Sequence, residues 1–551
     1  MRQIETHYDH WIKKVVEDLK RRPETPLVLS TGKTPSGPIH IGICRELLYC
    51  SAFEELLKKD GLETRFLFFI DDFDPIKSFP PNIPKEFAKH KEYIGRPMSD
   101  VPCPYGDCRS WAEHFSRELL DSLGEFNVFP EAIMTHEFYE TEEAKSAIRT
   151  ALRKVGTLRD ILGRIVGPTL SNDKRSIFEK QLETWTPCTV VCESCGSLKT
   201  VDVESFDLER DVVRYSCGNC GDSAEVPIAS GRIKLKWRID WPTKWAYFKV
   251  SCEPAGKDHC VKGGAYDTGE AICSEVYEWN PPYKVAFEWL TLGKRAMKTH
   301  KGISFTPSEW LKVSPPDVLR YLIFREEPAR HISFYPERVP FLVDDFEHIE
   351  AVFFDRESTR PNEDKDILGF LYSLCRPNVD LTAPPVRLPY RYAAVLAQLS
   401  PLLGEEGVVE KSSKVVSSIY GIDKLSPRDK TEISMRLSRA GYWVENYAPE
   451  ADRFEIAEEI PKGVKDQIHE REREALNALK TLISQKEWVD QELQNGIFSL
   501  GKEIYGSDAK HIFEIVYLVL LGQPYGPRLA PLLLSLDRSW LLKRFEKAIV
   551  E

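Results

Sequence analysis

Apolar residues at the start of the chain change from the spacing of a helix to that of strands. The residues that share one face of the first predicted helix are Tyr8, Trp11, Ile12, Val15, Val16 and Leu19. Apolar runs at 27–29 and 65–70 then flank a helical stretch at 43–57, an order that predicts a βαβ unit with parallel strands. Because ligands of parallel sheets bind at the carboxyl ends of the strands, we expect a site around residues 30–32 and Asp71.

Further along the chain, the pattern divides into three regions. From about 80 to 230, Pro-rich loops and helical stretches at 111–124 and 141–166 lead into a cysteine-bearing segment that we interpret as an insertion. The sequence pattern typical of a parallel sheet resumes near Ile233 and continues to about 305. From about 345 onwards, apolar residues recur with a helical period, which predicts an all-helical C-terminal region.

Composition narrows the class of protein. The 551 residues carry 75 Lys and Arg against 86 Asp and Glu, a net charge of −11, so a polyanionic partner must be held by local basic patches. Apolar runs all fall short of the roughly 18 residues that a membrane-spanning helix needs, and the first helix lacks the apolar core of a signal peptide. We therefore expect a protein without a membrane partner, located in the cytoplasm. Its 13 cysteines, an odd number, favour reduced thiols and a metal over a disulfide framework.

Four cysteines have the spacing of a structural zinc site. They form two Cys-x-x-Cys pairs separated by 21 residues: Cys192, Cys195, Cys217 and Cys220. Four thiolates at this spacing suit tetrahedral Zn²⁺ with no open position for catalysis, which favours a structural ion over four unrelated thiols. Cys188 is a further candidate ligand, whereas we interpret Cys103 and Cys108 as unrelated thiols.

The segment that joins the first strand to its helix has the composition of an anion-binding turn. Gly32, Gly37 and Gly42 allow close backbone approach, and the N-terminus of the following helix presents free N–H groups to an anion. The segment has the glycine spacing of neither a P-loop nor a dinucleotide fingerprint. Taken alone, it also fits a plain strand-to-helix turn capped by His40.

Read together with other strings, this turn resembles a known enzyme family. Residues 40–43, His-Ile-Gly-Ile, are similar to the HIGH signature of class I aminoacyl-tRNA synthetases. The strings that resemble class I lysyl-tRNA synthetases in particular are 34–42, 237–242, 253–259 and 263–267. The resemblance extends from about residue 8 to about 545 and so covers essentially the whole chain.

A basic loop at 294–302 stands where this family has its KMSKS loop. Met297, Lys301 and Gly302 fit the lysine-family form, but Ala296 replaces the leading lysine and Lys298 replaces a serine. Lysines of such a loop neutralise the charge that develops as pyrophosphate leaves. Taken alone, the segment would be interpreted as a basic surface loop.

The resemblance implies the fold and its division along the chain. It implies an α/β protein with a Rossmann-like parallel sheet, a zinc-binding insertion and an all-α anticodon-binding region. The implied regions are an N-terminal helix and the first catalytic half at 1–80, an insertion at 81–232 with a zinc module at 188–222, the second catalytic half at 233–305, a linker at 306–345 and the anticodon-binding region at 346–551.

The resemblance also implies the site residues. His40, Lys301 and Lys298 are the implied catalytic groups. The implied ATP contacts are Thr34, Pro35, Ser36, Gly37, His40, Gly42, Gly256, Met297 and Lys301. The implied lysine contacts are Gly32, Thr34, Glu46, Trp237, Asp240, His259 and Phe287. Glu46 would take the substrate ammonium group, and Phe287 stands where the family places a tyrosine, which keeps the aromatic face and loses a hydroxyl.

The implied activity is a lysine–tRNA ligase that joins lysine to ATP as lysyl-adenylate and then to the 3′ end of tRNA(Lys). Mg²⁺ would accompany ATP on its phosphates, and Zn²⁺ would be structural. The oligomeric state stays open, with a monomer preferred. Two alternatives stay open as well: a noncatalytic tRNA-binding paralogue, which Ala296 favours, and a synthetase-like enzyme for another cationic amino acid.

Overall fold

The computed structural model describes residues 10–297, 304–486 and 488–550, and these form two compact units. Unit 1 comprises residues 1–310, 319–334 and 359–379, and unit 2 comprises 311–318, 335–358 and 380–551. Among the described helices, none is long and apolar enough to cross a membrane.

Unit 1 is built on a five-stranded sheet in which every neighbouring pair is parallel. Its strands, in chain order, are β1 (Leu27–Lys33), β2 (Thr64–Ile70), β3 (Glu131–Met134), β9 (Val250–Gly256) and β10 (Tyr283–Phe287). The spatial order β10-β9-β1-β2-β3 places β1 at the centre, where its first five residues are buried. Helices α1 (Trp11–Lys20) and α2 (Cys44–Lys59) precede and follow β1. The predicted βαβ unit is confirmed, and α1 buries Ile12, Val15, Val16 and Leu19 as its periodicity indicates.

The region that we interpreted as an insertion, 81–232, contributes β3 to the parallel sheet. Together with residues 233–235 it also forms small antiparallel sheets and several helices. The strands are β4 (Cys188–Val190), β5 (Val201–Asp207), β6 (Val212–Cys217), β7 (Ser223–Pro227) and β8 (Ile233–Leu235). The helices are α3 (Trp111–Leu123), α4 (Thr135–Glu140), α5 (Glu142–Arg153), α6 (Val155–Val166) and α7 (Asn172–Thr184). β5, β6 and β7 form one antiparallel sheet, and β8 pairs antiparallel with β4. The expectation that the parallel sheet resumes near Ile233 is therefore wrong by about 17 residues, because β9 is the next strand of that sheet.

Residues 237–242, expected in a strand-and-loop setting, belong to a helix. This helix, α8 (Trp237–Tyr247), has Pro242 in its interior. The signal is the spacing of Trp237, Trp241 and Trp245, because residues four apart lie on one helix face and these rings pack in succession. The remaining elements up to residue 334 are α9 (Lys257–Cys260), α10 (Ala265–Glu275), β11 (Leu290–Leu292), β12 (Arg295–Ala296), α11 (Pro307–Val313), α12 (Pro316–Phe324) and β13 (Ile332–Phe334).

The rest of the described chain is helical, as the periodicity predicts. Its helices are α13 (Val339–Phe353), α14 (Lys365–Cys375), α15 (Tyr390–Gln398), α16 (Ser400–Tyr420), α17 (Pro427–Asn446), α18 (Lys462–Lys465), α19 (Glu470–Gln485), α20 (Asp490–Tyr505), α21 (His511–Leu521), α22 (Leu529–Ser535) and α23 (Arg538–Val550). α14 belongs to unit 1 and not to unit 2. It lies against the N-terminal helix, where the Lys13 ammonium sits 4.5 Å from the Phe370 ring centroid, and Arg320 donates to the carbonyl of Leu374 at 2.9 Å.

Candidate active site

A cavity of about 1020 Å³ opens at the carboxyl ends of the parallel strands of unit 1. β1 contributes Gly32, β2 is followed by Asp71, and β9 and β10 end at Gly256 and Phe287, all of which line the cavity. The site therefore lies where the topology of a parallel sheet places it.

The structure brings most of the predicted site residues to this cavity. Those that line it are Gly32, Thr34, Ser36, His40, Gly42, Glu46, Trp237, Gly256, His259, Phe287 and Met297. Pro35 is buried, and its carbonyl accepts a hydrogen bond from the Trp111 indole at 3.0 Å, so it shapes the turn from behind. Gly37 is buried as well and lies outside the lining. Lys298 and Lys301 lie outside the described residues.

His40 forms the corner between β1 and α2. Its Nδ1 accepts a hydrogen bond from the backbone N–H of Gly42 at 3.1 Å, which leaves the proton of the neutral ring on Nε2. Burial, and then the nearby charge of Lys33, lower the pKa of His40 to about 4, so the ring is neutral at pH 7. A Cβ atom at Gly42 would lie 2.7 Å from the His40 ring, so glycine is the residue that permits this approach. His40 can thus donate one hydrogen bond to an anion without carrying charge itself.

Two carboxyl groups lie at the base of the cavity. Glu46 accepts a hydrogen bond from the Thr31 hydroxyl at 2.7 Å, and Glu253 accepts from the indoles of Trp241 at 2.7 Å and Trp245 at 3.0 Å. Burial raises the pKa of Glu46 to about 7 and the pKa of Glu253 to about 7. An arriving cation would favour the ionised form of both groups, so the base of the cavity suits an ammonium ligand.

Glu253 is a site residue that the sequence analysis did not single out. It is the fourth residue of β9, and it is held on one side by the ladder of tryptophans on α8 and on the other by the Ser30 hydroxyl of β1. The signal that could have identified it is an acidic residue inside an otherwise apolar strand, because a buried carboxylate needs partners.

Aromatic rings form one wall of the cavity. Trp237 is 38% exposed, and its ring packs on Trp241 with centroids 5.3 Å apart and on His259 at 5.1 Å. Phe287 lines the cavity near Tyr49, whose ring centroid is 6.1 Å away. Burial lowers the pKa of His259, which keeps this ring neutral as well. The wall offers flat apolar faces to an alkyl chain or a base.

The position of Asp240 does not match the prediction that it faces the substrate. Its side chain is 2% exposed, and its carboxylate binds Lys244 at 2.9 Å, Lys234 at 3.6 Å and the Tyr139 hydroxyl at 2.6 Å. The two lysines lower the pKa of Asp240 against the effect of burial. Lys244 in turn binds Asp71 at 2.5 Å, so Asp240 supports the end of β2 from behind the cavity.

The four predicted zinc ligands lie together. Within the described residues, the sulfur atoms of Cys192, Cys195, Cys217 and Cys220 all lie within 4.8 Å of one another. Cys192 is 3.6 Å from Cys220, and Cys195 is 3.7 Å from Cys217. Tetrahedral Zn²⁺ with Zn–S bonds of about 2.3 Å places sulfurs about 3.8 Å apart, so the geometry fits this ion. Cys188 lies instead in β4, where it pairs with Leu235.

Cys103 and Cys108, which we interpreted as unrelated thiols, lie together in a second group of metal-ligand type. Cys103, Asp107, Cys108 and His114 place one ligand atom each within 4.8 Å of one another. The Asp107 carboxylate lies 2.9 Å from the Cys103 sulfur and 3.1 Å from His114 Nδ1. The signal in the sequence is the spacing of these four residues, which mixes ligand types and so lacks a regular Cys-x-x-Cys pattern.

Comparisons with known proteins show the family to which this chain is similar. The family model described as tRNA synthetases class I (K) matches residues 9–372. The chain is 33% identical to a lysine–tRNA ligase of Methanocaldococcus jannaschii over 97% of this chain and 99% of that protein. It is 33% identical to lysine–tRNA ligase 1 of Methanosarcina acetivorans over 98% of each chain. Among solved structures, a glutamate tRNA ligase from Elizabethkingia meningosepticum is similar at 12% identity with a TM-score of 0.38, covering 95% of this chain and 99% of that chain.

Proposed function

Since this chain belongs to the class I tRNA synthetases of the lysine type, we propose that its cavity activates lysine with ATP and that the lysyl group then passes to tRNA. The protein is a lysine–tRNA ligase. The observation that carries the proposal for the cavity is the pair of buried carboxyl groups, Glu46 and Glu253, beneath an aromatic wall and beside the His40 turn.

The substrate lysine would lie across the base of the cavity. Its ammonium group would bind Glu46, with Glu253 adding negative potential, and its alkyl chain would pack on Phe287 and Trp237. Its carboxylate would then point towards the His40 turn, where Nε2 donates to a phosphate oxygen of ATP. In-line attack of the carboxylate on the α-phosphorus gives lysyl-adenylate and pyrophosphate, a step that positioning and charge stabilisation can accelerate without a covalent enzyme intermediate.

Ions enter the proposal at two places. Mg²⁺ would bind the phosphates of ATP and reduce their charge. We assign Zn²⁺ to the four-cysteine cluster, because four thiolates with tetrahedral spacing match its preference. We assign a second structural ion to Cys103, Asp107, Cys108 and His114, a donor set of sulfur, nitrogen and carboxylate oxygen that Zn²⁺ also accepts.

The RNA partner is assigned by region. We propose that tRNA(Lys) presents its 3′ end to the cavity of unit 1 and its anticodon to the helices of unit 2, because unstacked bases are the usual target of sequence-specific RNA recognition. Arg528 and Arg538, two basic residues near the C-terminus that could contact phosphates, make side-chain contacts within unit 2. Arg528 binds Asp490 at 3.2 Å and Gln491 at 2.7 Å, and Arg538 donates to the Ile483 carbonyl at 2.6 Å. A monomeric state and a cytoplasmic location stay predictions.

Lysine-dependent ATP–pyrophosphate exchange tests the proposal. Purified protein is assayed with lysine and, as controls, arginine, ornithine and glutamate, each with and without tRNA. We expect exchange with lysine and none with glutamate, because the base of the cavity is acidic. Exchange with ornithine alone would indicate the alternative of another cationic amino acid. No exchange with any amino acid in the presence of tRNA would leave the noncatalytic tRNA-binding paralogue as the better interpretation.

A further inference from the structure

Lys33, the last residue of β1, places an ammonium group in the cavity that the proposed mechanism has not used. β1 pairs with β2 in register, with Lys33 opposite Ile70 at the carboxyl end of both strands. Alternate residues of a strand point to the same face, so Lys33 shares a face with Thr31, whose hydroxyl binds Glu46. Lys33 lines the cavity together with Glu46 and His40.

Three groups of the cavity respond to the charge of Lys33. Burial is the main cause that lowers the pKa of His40 and the pKa of His259, and the charge of Lys33 lowers both further. The same charge lowers the pKa of Glu46 against the stronger effect of burial. His40 precedes the short turn at 41–43 that leads into α2, Glu46 lies in the first turn of α2, and His259 lies in α9 beyond the end of β9. The ammonium group therefore lies in the same cavity as His40, Glu46 and His259 and within electrostatic reach of all three.

No hydrogen-bonding or ion-pairing side chain holds the Lys33 ammonium within 10–297 and the other described segments. The other buried lysines of the cavity differ in this respect, because Lys244 binds Asp71 and Asp240, and Lys234 binds Asp74 at 3.1 Å. A desolvated ammonium without a contact partner is costly unless a ligand supplies the anion. This arrangement points to an anionic ligand group at this spot.

We propose that Lys33 is a catalytic residue for adenylation, which binds a nonbridging α-phosphate oxygen of ATP where the lysine carboxylate attacks. This inference rests on the proposed function. In the step, a carboxylate oxygen forms a bond to the α-phosphorus, and the bond from the α-phosphorus to the bridging oxygen breaks. The electron pair of that bond leaves on pyrophosphate, and negative charge on the nonbridging oxygens is offset by the ammonium group of Lys33.

The neighbouring loop lacks a positive charge at its expected leading lysine, so the charge of Lys33 matters more. Ala296, which stands where the leading lysine of the signature loop is expected, lines the same cavity and carries no charge. A cation on β1 reaches the phosphate from the sheet side and is held by a rigid strand. Lys33 thus supplies positive charge at the α-phosphate independently of the loop.

The test compares Lys33→Met with Lys33→Arg, and with Lys180→Met as a control for an exposed lysine on α7. We expect Lys33→Met to lower kcat of lysine-dependent pyrophosphate exchange by about 10²–10³-fold, the usual effect of removing one preorganised charge-stabilising group. KM for lysine should change little, and Lys33→Arg should lose less than Lys33→Met. Lys180→Met should match the unchanged protein. Equal kcat in Lys33→Met and the unchanged protein would overturn the proposal for Lys33. If the unchanged protein itself shows no exchange, the proposed function fails instead.

A second measurement needs no variant to fold. In the unchanged protein, ATP should protect Lys33 from an amine-reactive label, as read by peptide mass spectrometry, whereas adenosine, which lacks phosphates, should not. Equal labelling of Lys33 with ATP and with adenosine would overturn the proposal. A Lys33→Met variant that binds lysine more tightly and exchanges at the unchanged rate would overturn it as well, because Lys33 would then serve only as an internal partner of Glu46.

Discussion

Glu46→Gln should improve the stability of the substrate-free protein while it impairs lysine binding. The side chain lines the cavity, and the Thr31 hydroxyl that donates to it at 2.7 Å can donate equally to the glutamine carbonyl. The substitution therefore keeps the shape and the hydrogen bond and removes only the ionisable group. Any effect of Glu46→Gln on stability or binding must therefore come from the loss of the carboxylate charge.

The pH dependence gives the size of the stability effect. Burial raises the pKa of Glu46 from the ordinary 4.5 to about 7, so the folded protein holds this proton more tightly than the unfolded chain. As the pH rises from 4.5 to 7, the unfolded chain releases the proton first, and folding loses stability over this window. At about 1.4 kcal/mol for each tenfold change in the proton-binding constant, this rise in pKa corresponds to at most about 3–4 kcal/mol. Glu46→Gln should therefore match the unchanged protein near pH 4.5 and be more stable by up to that amount at pH 8.

Denaturant unfolding at pH 5 and pH 8, followed by a signal from the tryptophans of unit 1, measures this difference. Glu125→Gln, at an exposed position, is the matched control and should show no such pH dependence. A stability difference for Glu46→Gln that is the same at both pH values would refute the assignment of Glu46 as a buried acid.

Lysine binding should move in the opposite direction. Removing one partner of a buried charge pair costs about 2–5 kcal/mol, which is a 30-fold or larger loss of kcat/KM for lysine. In the unchanged protein, kcat/KM for lysine should rise with pH through about 7, because this quantity reports ionisation of the free enzyme. An unchanged kcat/KM for lysine in Glu46→Gln would remove Glu46 from the lysine site.

Three further changes test other parts of the site. Gly42→Ala should push the His40 ring out of place, since a Cβ atom would lie 2.7 Å from it, and should raise KM for ATP at least 10-fold in pyrophosphate exchange; an unchanged KM would argue against the turn as the phosphate site. Asp240→Asn should remove one of the two carboxylates that bind buried Lys244, the other being Asp71, and cost about 1–3 kcal/mol in denaturant unfolding, whereas a fully stable variant with a raised KM for lysine would restore Asp240 as a direct contact. Elemental analysis should find two Zn²⁺ per chain and one in Cys103→Ser; one ion in both proteins would contradict the second site.

The sheet and the location of the site could be predicted because they depend on local pattern and topology. Apolar runs with a glycine turn between them mark a parallel βαβ unit, and its topology alone puts Gly32 and Asp71 at the same edge. The HIGH-like turn and the four-cysteine cluster each lie within a short segment. The spacing of their residues along the chain is therefore enough to predict which side chains lie together. The same holds for α1, whose buried face follows its helical period.

Side-chain contacts between residues that are distant in sequence could not be predicted. The string 237–242 identified Asp240 as an acid near the site, but its role depends on Lys234, Tyr139 and Lys244, which come from three elements. Pro242 hid the helix in which Asp240 and Lys244 lie, because proline in the interior normally indicates a loop. The second metal-ligand group was missed for a related reason, since its four ligands have three different chemistries.

The lysines that line the cavity explain how a protein of net charge −11 can hold a polyphosphate and the end of an RNA. The six lysines among the described lining residues are Lys33, Lys77, Lys199, Lys234, Lys236 and Lys244. Lys234 and Lys244 are neutralised by aspartates, so they build the wall and contribute little field at the ligand. Lys77 and Lys199 are exposed at the cavity, and Lys33 lies deeper. Since the Debye length is about 8 Å at physiological ionic strength, acids elsewhere on the surface are largely screened at this site, and the unpaired lysines of the cavity determine its attraction for phosphate.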